Sequence, residues 1–282
     1  MTRSVRRTRR TRTMLQVTGV SAAALLALSA CSSSDDSSSA KSDASGSSDA
    51  SASASPKLSG TVTVFAAASL KESFTALGKE FEKAHPGTKV TFSFGGSDSL
   101  AASITGGAPA DVFASASPKT MKIVTDAGDA AGTPATFVRN QLEIATLPGN
   151  PDKITSLKDL TKSGLKVVLC DKTVPCGAAA QKALDAGKLK LTPVSYEQDV
   201  KSALTKVELK EADAAVVYKT DVNAAGDKVE GVEFPESANV INDYPIVQLK
   251  DAKNTDTAKA FIALVQSAEG QKVLTKAGFL QP

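Results

Sequence analysis

From Gly60 to the C-terminus, short β-branched runs alternate with amphipathic helical runs, and this alternation restricts the possible folds more than any other feature of the chain. Gly60–Phe65 (GTVTVF) reads as a strand, and Leu70–His85 carries Phe74, Leu77 and Phe81 at helical spacing until Pro86-Gly87 stops it. Thr88–Phe94 alternates again. A helix is expected from about Ser99, a strand over Asp111–Ala114 and a helix from Ser117. Further on, Gln141–Thr146, Leu165–Cys170, Ala214–Tyr218 and Tyr244–Leu249 read as strands. Gly177–Leu184, Asp199–Leu209 and Thr255–Leu274 carry helical patterns. Strands and helices in strict succession predict an α/β fold with mainly parallel sheets. No internal repeat at a fixed period is visible.

The chain ahead of this body has a different character. Six arginines (Arg3, Arg6, Arg7, Arg9, Arg10 and Arg12) lead into the apolar stretch Met14–Ala30, which reads as a secretory signal, too short and broken for a membrane span. It ends in Leu28-Ser29-Ala30-Cys31, the pattern of a bacterial lipobox. Residues 1–30 are therefore expected to be a lipoprotein signal peptide, with Cys31 lipidated and anchored to the outer face of the cell membrane. An ordinary cleaved signal with an incidental Cys31 is the plainer alternative. Residues 32–57 are half Ser with no large apolar side chain, so the segment from Cys31 to Lys57 is expected to be a disordered tether reaching roughly 28 Å. A sugar-decorated stalk fits the same composition. Setting the six leader arginines aside from the 33 basic residues leaves 27 against 30 acidic ones, which removes the footprint of a nucleic-acid binder.

The body's chemistry lies where strands turn into helices. Ligands of open α/β sheets collect at the carboxyl ends of strands, where helix N-termini present unpaired N–H groups. Four such junctions are built of small or turn-forming residues: Ala66-Ala67-Ala68-Ser69, Gly95-Gly96-Ser97-Asp98-Ser99, Val174-Pro175-Cys176-Gly177 and Gln198-Asp199-Val200. Singly, each is first of all a helix cap. Together, in a chain with few catalytic groups, they favour an anion cradle made of neutral donors. The lone histidine, His85, stands at a helix end before Pro-Gly, which argues against Ser–His or Cys–His catalysis and His-rich metal sites. An exported hydrolase would want a GxSxG-type elbow with a His partner, and an adhesion lipoprotein would want more than 5% aromatic residues. Cys170 and Cys176 can form a disulfide in an exported protein. Tyr196 and Tyr244 read as packing residues, and Asp111 as a structural carboxylate.

Several of these motifs resemble those of ABC-transporter molybdate-binding proteins. The resemblance is carried by Val64-Phe65-Ala66-Ala67-Ala68-Ser69-Leu70, by Gly107-Ala108-Pro109-Ala110-Asp111-Val112-Phe113-Ala114-Ser115, by Val174-Pro175-Cys176-Gly177 and by Asp199-Val200-Lys201. Ala215-Val216-Val217-Tyr218 and Tyr244-Pro245-Ile246-Val247 complete it, in family order over almost all of residues 58–282. It implies the type II periplasmic binding protein fold, two α/β lobes joined by two crossover segments with ligand in the cleft. The order of elements puts lobe 1 at 58–138 plus 244–282 and lobe 2 at 139–243.

The implied function is binding, not enzymatic. Molybdate or tungstate, with no cofactor, no nucleic acid and no cationic metal, would pass to an ABC permease with its ATPase from a monomeric binding protein. Sulfate or phosphate is the alternative cargo. Carried over position by position, Ser69 and Ser97 would offer hydroxyl and backbone N–H, Cys176 and Val200 backbone N–H only, and Tyr218 its phenolic O–H. Asp98 and Cys176 depart from the family's small neutral residues, and Asp98 would have to point away from a dianion. Neutralising Arg139 or Lys201 is expected to change affinity little.

Overall fold

The computed structural model describes residues 58–282; the signal peptide expected over 1–30, the lipid expected on Cys31 and the tether expected over 31–57 lie outside the described residues. The chain opens with β1 (Gly60–Ala67), a 3-10 turn (Ala68–Leu70), α1 (Lys71–Ala84), β2 (Thr88–Gly95), α2 (Ser97–Thr105), β3 (Val112–Ala114), α3 (Pro118–Asp126) and β4 (Ala135–Asn140). It continues through β5 (Leu142–Thr146), β6 (Val167–Cys170), α4 (Pro175–Ala186), β7 (Ser195–Glu197), α5 (Val200–Glu208), β8 (Ala214–Tyr218), α6 (Lys219–Ala225) and β9 (Glu230–Val232). It ends with β10 (Asn242–Gln248), α7 (Thr255–Gln266) and α8 (Ala268–Ala277).

Each element expected from periodicity is present, displaced by a few residues. The helical pattern over 255–274 is two helices, because Ser267 is extended (ψ 165°) and its side chain accepts the Gly270 N–H to cap α8. Periodicity did not announce β4, β7, α6 or β9. Two of these strands have three residues, too few for a pattern, and β4 is an edge strand whose first two residues are exposed.

The strands form two five-stranded sheets, ordered β2-β1-β3-β10-β4 and β7-β6-β8-β5-β9. The sheets are mixed, which corrects the expectation of mainly parallel pairing. β10 runs antiparallel to both β3 and β4, and β5 antiparallel to both β8 and β9. Each of these strands begins just after the chain has crossed from one sheet to the other. No helical crossover on its own sheet dictates its direction, so the parallel βαβ rule does not apply to it.

Alternation along β1 places Val62 and Val64 in the main core and Phe65 against a second cluster under α2 and α3 that contains Leu100, Ile104, Met121 and Val124. On the main-core side, Phe261 of α7 meets Phe74 and Phe81 of α1 edge-on, with ring centroids 5.9 and 5.7 Å apart. In the other sheet, β6 and β8 are buried at every residue, so their sequences VVLC and AAVVY are continuously apolar, not alternating.

The first crossover is short: Gln141 alone separates β4 from β5. The return runs from β9 to β10 through a 3-10 turn at Pro235–Asn239. The two passages are tied together. The Gln141 side chain donates to Ser237 Oγ at 2.7 Å, and Arg139 Nε pairs with Asp243 across β4 and β10 at 2.7 Å.

Candidate functional site

The carboxyl ends of β1 and β2 in one sheet and of β6, β7 and β8 in the other face a common cavity. Its wall includes Ser69, Ser97, Cys176, Val200 and Tyr218, all five residues singled out from the sequence, together with Gly96, Ala116, Pro175 and Asp199. The space open to the centre of a water-sized sphere is about 20 Å³, room for a compact solute only.

Helix starts deliver each group. Ser69 lies in the 3-10 turn that leads β1 into α1. Ser97 is the first residue of α2, Val200 the first of α5 and Cys176 the second of α4, behind a proline whose missing N–H costs nothing there. First-turn amides have no acceptor within their own helix and carry the positive end of its dipole. Tyr218 ends β8 and precedes α6.

The hydroxyls are poised as donors. Ser97 Oγ accepts the Ala116 N–H at 3.0 Å, which occupies a lone pair and leaves its proton free. Ser69 Oγ lies 2.8 Å from the Tyr244 hydroxyl. Among the described residues, Tyr218 OH is buried and makes no geometrically good hydrogen bond, with the Tyr244 ring edge-on beside it at 6.0 Å, an expensive state for a donor that a ligand or solvent can relieve. Burial, with the neighbouring Tyr244, pushes the Tyr218 phenol well above its ordinary range, so it keeps its proton.

Among the described residues, no Lys, Arg or His lines the cavity. The Asp199 carboxylate is turned to its own helix, where it accepts from Ser202 N at 2.9 Å and from Ser202 Oγ at 3.2 Å. Asp98 is not part of the wall. Cys176 is joined to Cys170 by a disulfide with the Cα atoms 5.9 Å apart, which ties the first turn of α4 to the end of β6.

The residues given bland readings sit accordingly. Asp111 accepts the backbone N–H of Thr63 and of Lys253, each at 2.7 Å. His85 packs its ring on Phe81 at 4.7 Å. Tyr196 is the exception: expected to pack, it is exposed on the edge strand β7, where no further strand of the described residues flanks it. Tyr244 does more than pack. Its hydroxyl reaches Ser69 from β10, a contact between residues 175 apart that no local pattern announces.

Comparison with known proteins fits this geometry. Residues 62–280 match the family described as bacterial extracellular solute-binding proteins. The molybdate-binding protein ModA of Mycobacterium tuberculosis (strain H37Rv) is 45% identical over 222 residues, covering 79% of this chain and 85% of the relative. YvgL of Bacillus subtilis, described as a candidate ABC transporter substrate-binding lipoprotein, is 33% identical over 227 residues, covering 78% and 86%. The periplasmic molybdate-binding protein of Azotobacter vinelandii superimposes with a TM-score of 0.69 at 22% identity, covering 78% of this chain and 99% of that one, which establishes the two-lobed type II periplasmic binding protein fold. The chain is therefore a non-enzymatic member of the bacterial extracellular solute-binding protein family, in the branch that holds the ModA proteins.

Proposed function

We propose that this protein captures molybdate, or the nearly isosteric tungstate, between its two lobes and hands it to an ABC permease driven by an ATPase. Ser69, Ser97 and Tyr218 would bind through hydroxyls, and Ser69, Ser97, Cys176 and Val200 through backbone N–H groups. The observation that carries the reading is the buried, unpartnered Tyr218 hydroxyl in a cation-free cavity ringed by helix starts. A dianion stripped of water loses a large hydration energy. Several oriented neutral donors can replace that shell, since hydrogen bonds to an ionised acceptor are roughly twice as strong as neutral ones. Phosphate carrying a proton would find no acceptor for it in a donor-only cavity, and the smaller sulfate would sit at stretched distances.

The lobes are taken as 58–138 plus 244–282 and 139–243; the crossovers at Gln141 and between β9 and β10 support this division, with β4 running on to Asn140 and β10 starting at Asn242 in the first lobe's sheet. The lipobox ending at Cys31 supports a lipid anchor on the outer face of the membrane, with residues 31–57 as the tether. Calorimetric titration with molybdate, tungstate, sulfate and phosphate tests the cargo. Molybdate and tungstate should bind tightly and alike, and sulfate or phosphate binding as tightly would overturn the assignment.

A further inference from the structure

Val200 and its neighbour Lys201 stand side by side at the start of α5, and only Val200 lines the cavity. Lys201 turns to two carboxylates instead. Its Nζ is 3.2 Å from Asp221 Oδ1 on α6 and 2.9 Å from Glu72 Oε2 on α1. Asp221 is fully buried and accepts the Tyr218 backbone N–H at 3.2 Å, so it fixes the residue whose phenol enters the cavity. Glu72, by contrast, is half exposed and sits three residues beyond Ser69, on the other lobe. From sequence alone Lys201 has little part in affinity. In the structure this one ammonium bridges both sides of the cleft.

Resting on the oxyanion-capture reading, we propose that Lys201 is a positioning residue that latches the closed lobes: it neutralises Asp221 within its own lobe and recruits Glu72 only when the lobes shut. The arrangement explains how a buried carboxylate is tolerated beside a site for a dianion. The cation is spent on Asp221, not offered to the cargo, so the anion is still held by neutral donors. Burial pulls the Lys201 ammonium down, yet Asp221 and Glu72 more than offset it and hold it above its ordinary value, fully charged. The Glu72 arm is solvent-exposed, so its contribution is modest and screened by salt. Because it forms after encounter, it should act on release, not capture.

The test is stopped-flow release of molybdate from the full-length protein. Glu72→Gln should release about 3-fold faster at low salt, with association unchanged and the difference gone at about 1 M salt. Glu80→Gln, an exposed change on the same helix, should release like wild type. Lys201→Met strands the buried Asp221 and risks misfolding, so it is paired with Asp221→Asn; in that double background Glu72→Gln should have no further effect. If wild type binds sulfate and not molybdate, the cargo reading fails and the same rates are read with sulfate. Equal release from wild type and Glu72→Gln, with whichever anion binds, overturns the latch.

Discussion

The Ser69 hydroxyl and the Tyr244 hydroxyl are 2.8 Å apart, both buried, and Asn140 Nδ2 approaches the same phenolic oxygen at 3.4 Å from the end of β4. Either hydroxyl can donate in this pair; an anion that accepts from Ser69 selects the arrangement in which Asn140 donates to Tyr244 and Tyr244 donates to Ser69. Tyr244→Phe removes that orienting donor and little volume. It should weaken molybdate binding by about 2- to 13-fold, the value of one neutral hydrogen bond. Calorimetry on the variant checks it, and unchanged affinity would leave Tyr244 a packing residue.

Gly96 marks where the lobes meet. A Cβ there would fall 2.6 Å from the carbonyl oxygen of Gln198 and 2.8 Å from Asp98 Oδ1. Its own backbone is ordinary (φ −60°), so the demand for glycine comes from the opposing chain. Gly96→Ala should therefore fold normally and fail to close. X-ray scattering of the variant with saturating molybdate should keep the dimensions of the ligand-free protein, and affinity should drop. Ligand-induced compaction equal to that of wild type would refute the steric argument.

What the sequence made legible was local. Ser97, Cys176 and Val200 sit in the first turns of their helices, and Ser69 and Tyr218 where strands pass into helical turns, so small residues, a proline and the strand pattern identify the positions without knowledge of the fold. The contacts that organise the site are not local. Tyr244 meets Ser69 through sheet order, and Lys201 meets Glu72 across the cleft, between helices far apart in the sequence. The antiparallel placement of β5 and β10 was hidden for the same reason, since it follows from which sheet the chain has just left.

Asp221 gives the protein a signature in pH. Burial pushes its carboxyl from the ordinary 3.8 up to about 6, against the pull of Lys201. A carboxyl raised on folding binds its proton more tightly in the folded state. Its contribution is most favourable below about 3.8, declines as pH rises towards about 6, and is constant above that. The wild-type melting temperature minus that of Asp221→Asn should therefore fall between about pH 4 and pH 6.5 and then level off. Other carboxyls cancel in the difference. A difference that grows over the same window would mean that pairing with Lys201 outweighs burial.

The Cys170–Cys176 bridge closes a loop with a sequence separation of 6. Loop-closure entropy puts the stabilisation from so short a loop at about 2 kcal/mol. Cys170→Ala with Cys176→Ala should lower the melting temperature by a few degrees. It should also weaken anion binding, because the turn presenting the Cys176 amide loses its tie to β6. Non-reducing peptide mapping should find the two residues in one linked peptide. Two free thiols, or a double variant with wild-type stability, would count against this role.

The last prediction separates capture by neutral donors from attraction by charge. Ser69→Ala, Ser97→Ala and Tyr218→Phe each delete one hydroxyl at nearly constant volume. A hydrogen bond to an ionised group contributes about 1.5–3 kcal/mol, so each should cost about 10- to 150-fold in affinity. Tyr218 is buried beside Tyr244, and its deletion should fall within the same range. Val200→Ala should do far less, because its donor is a backbone N–H that survives the change. Arg139 pairs with Asp243 at the crossover and lies off the cavity wall, so Arg139→Gln should leave affinity near wild type. Hydroxyl deletions without effect, together with a collapse of affinity in Arg139→Gln, would show that formal charge, and not the ring of neutral donors, holds the anion.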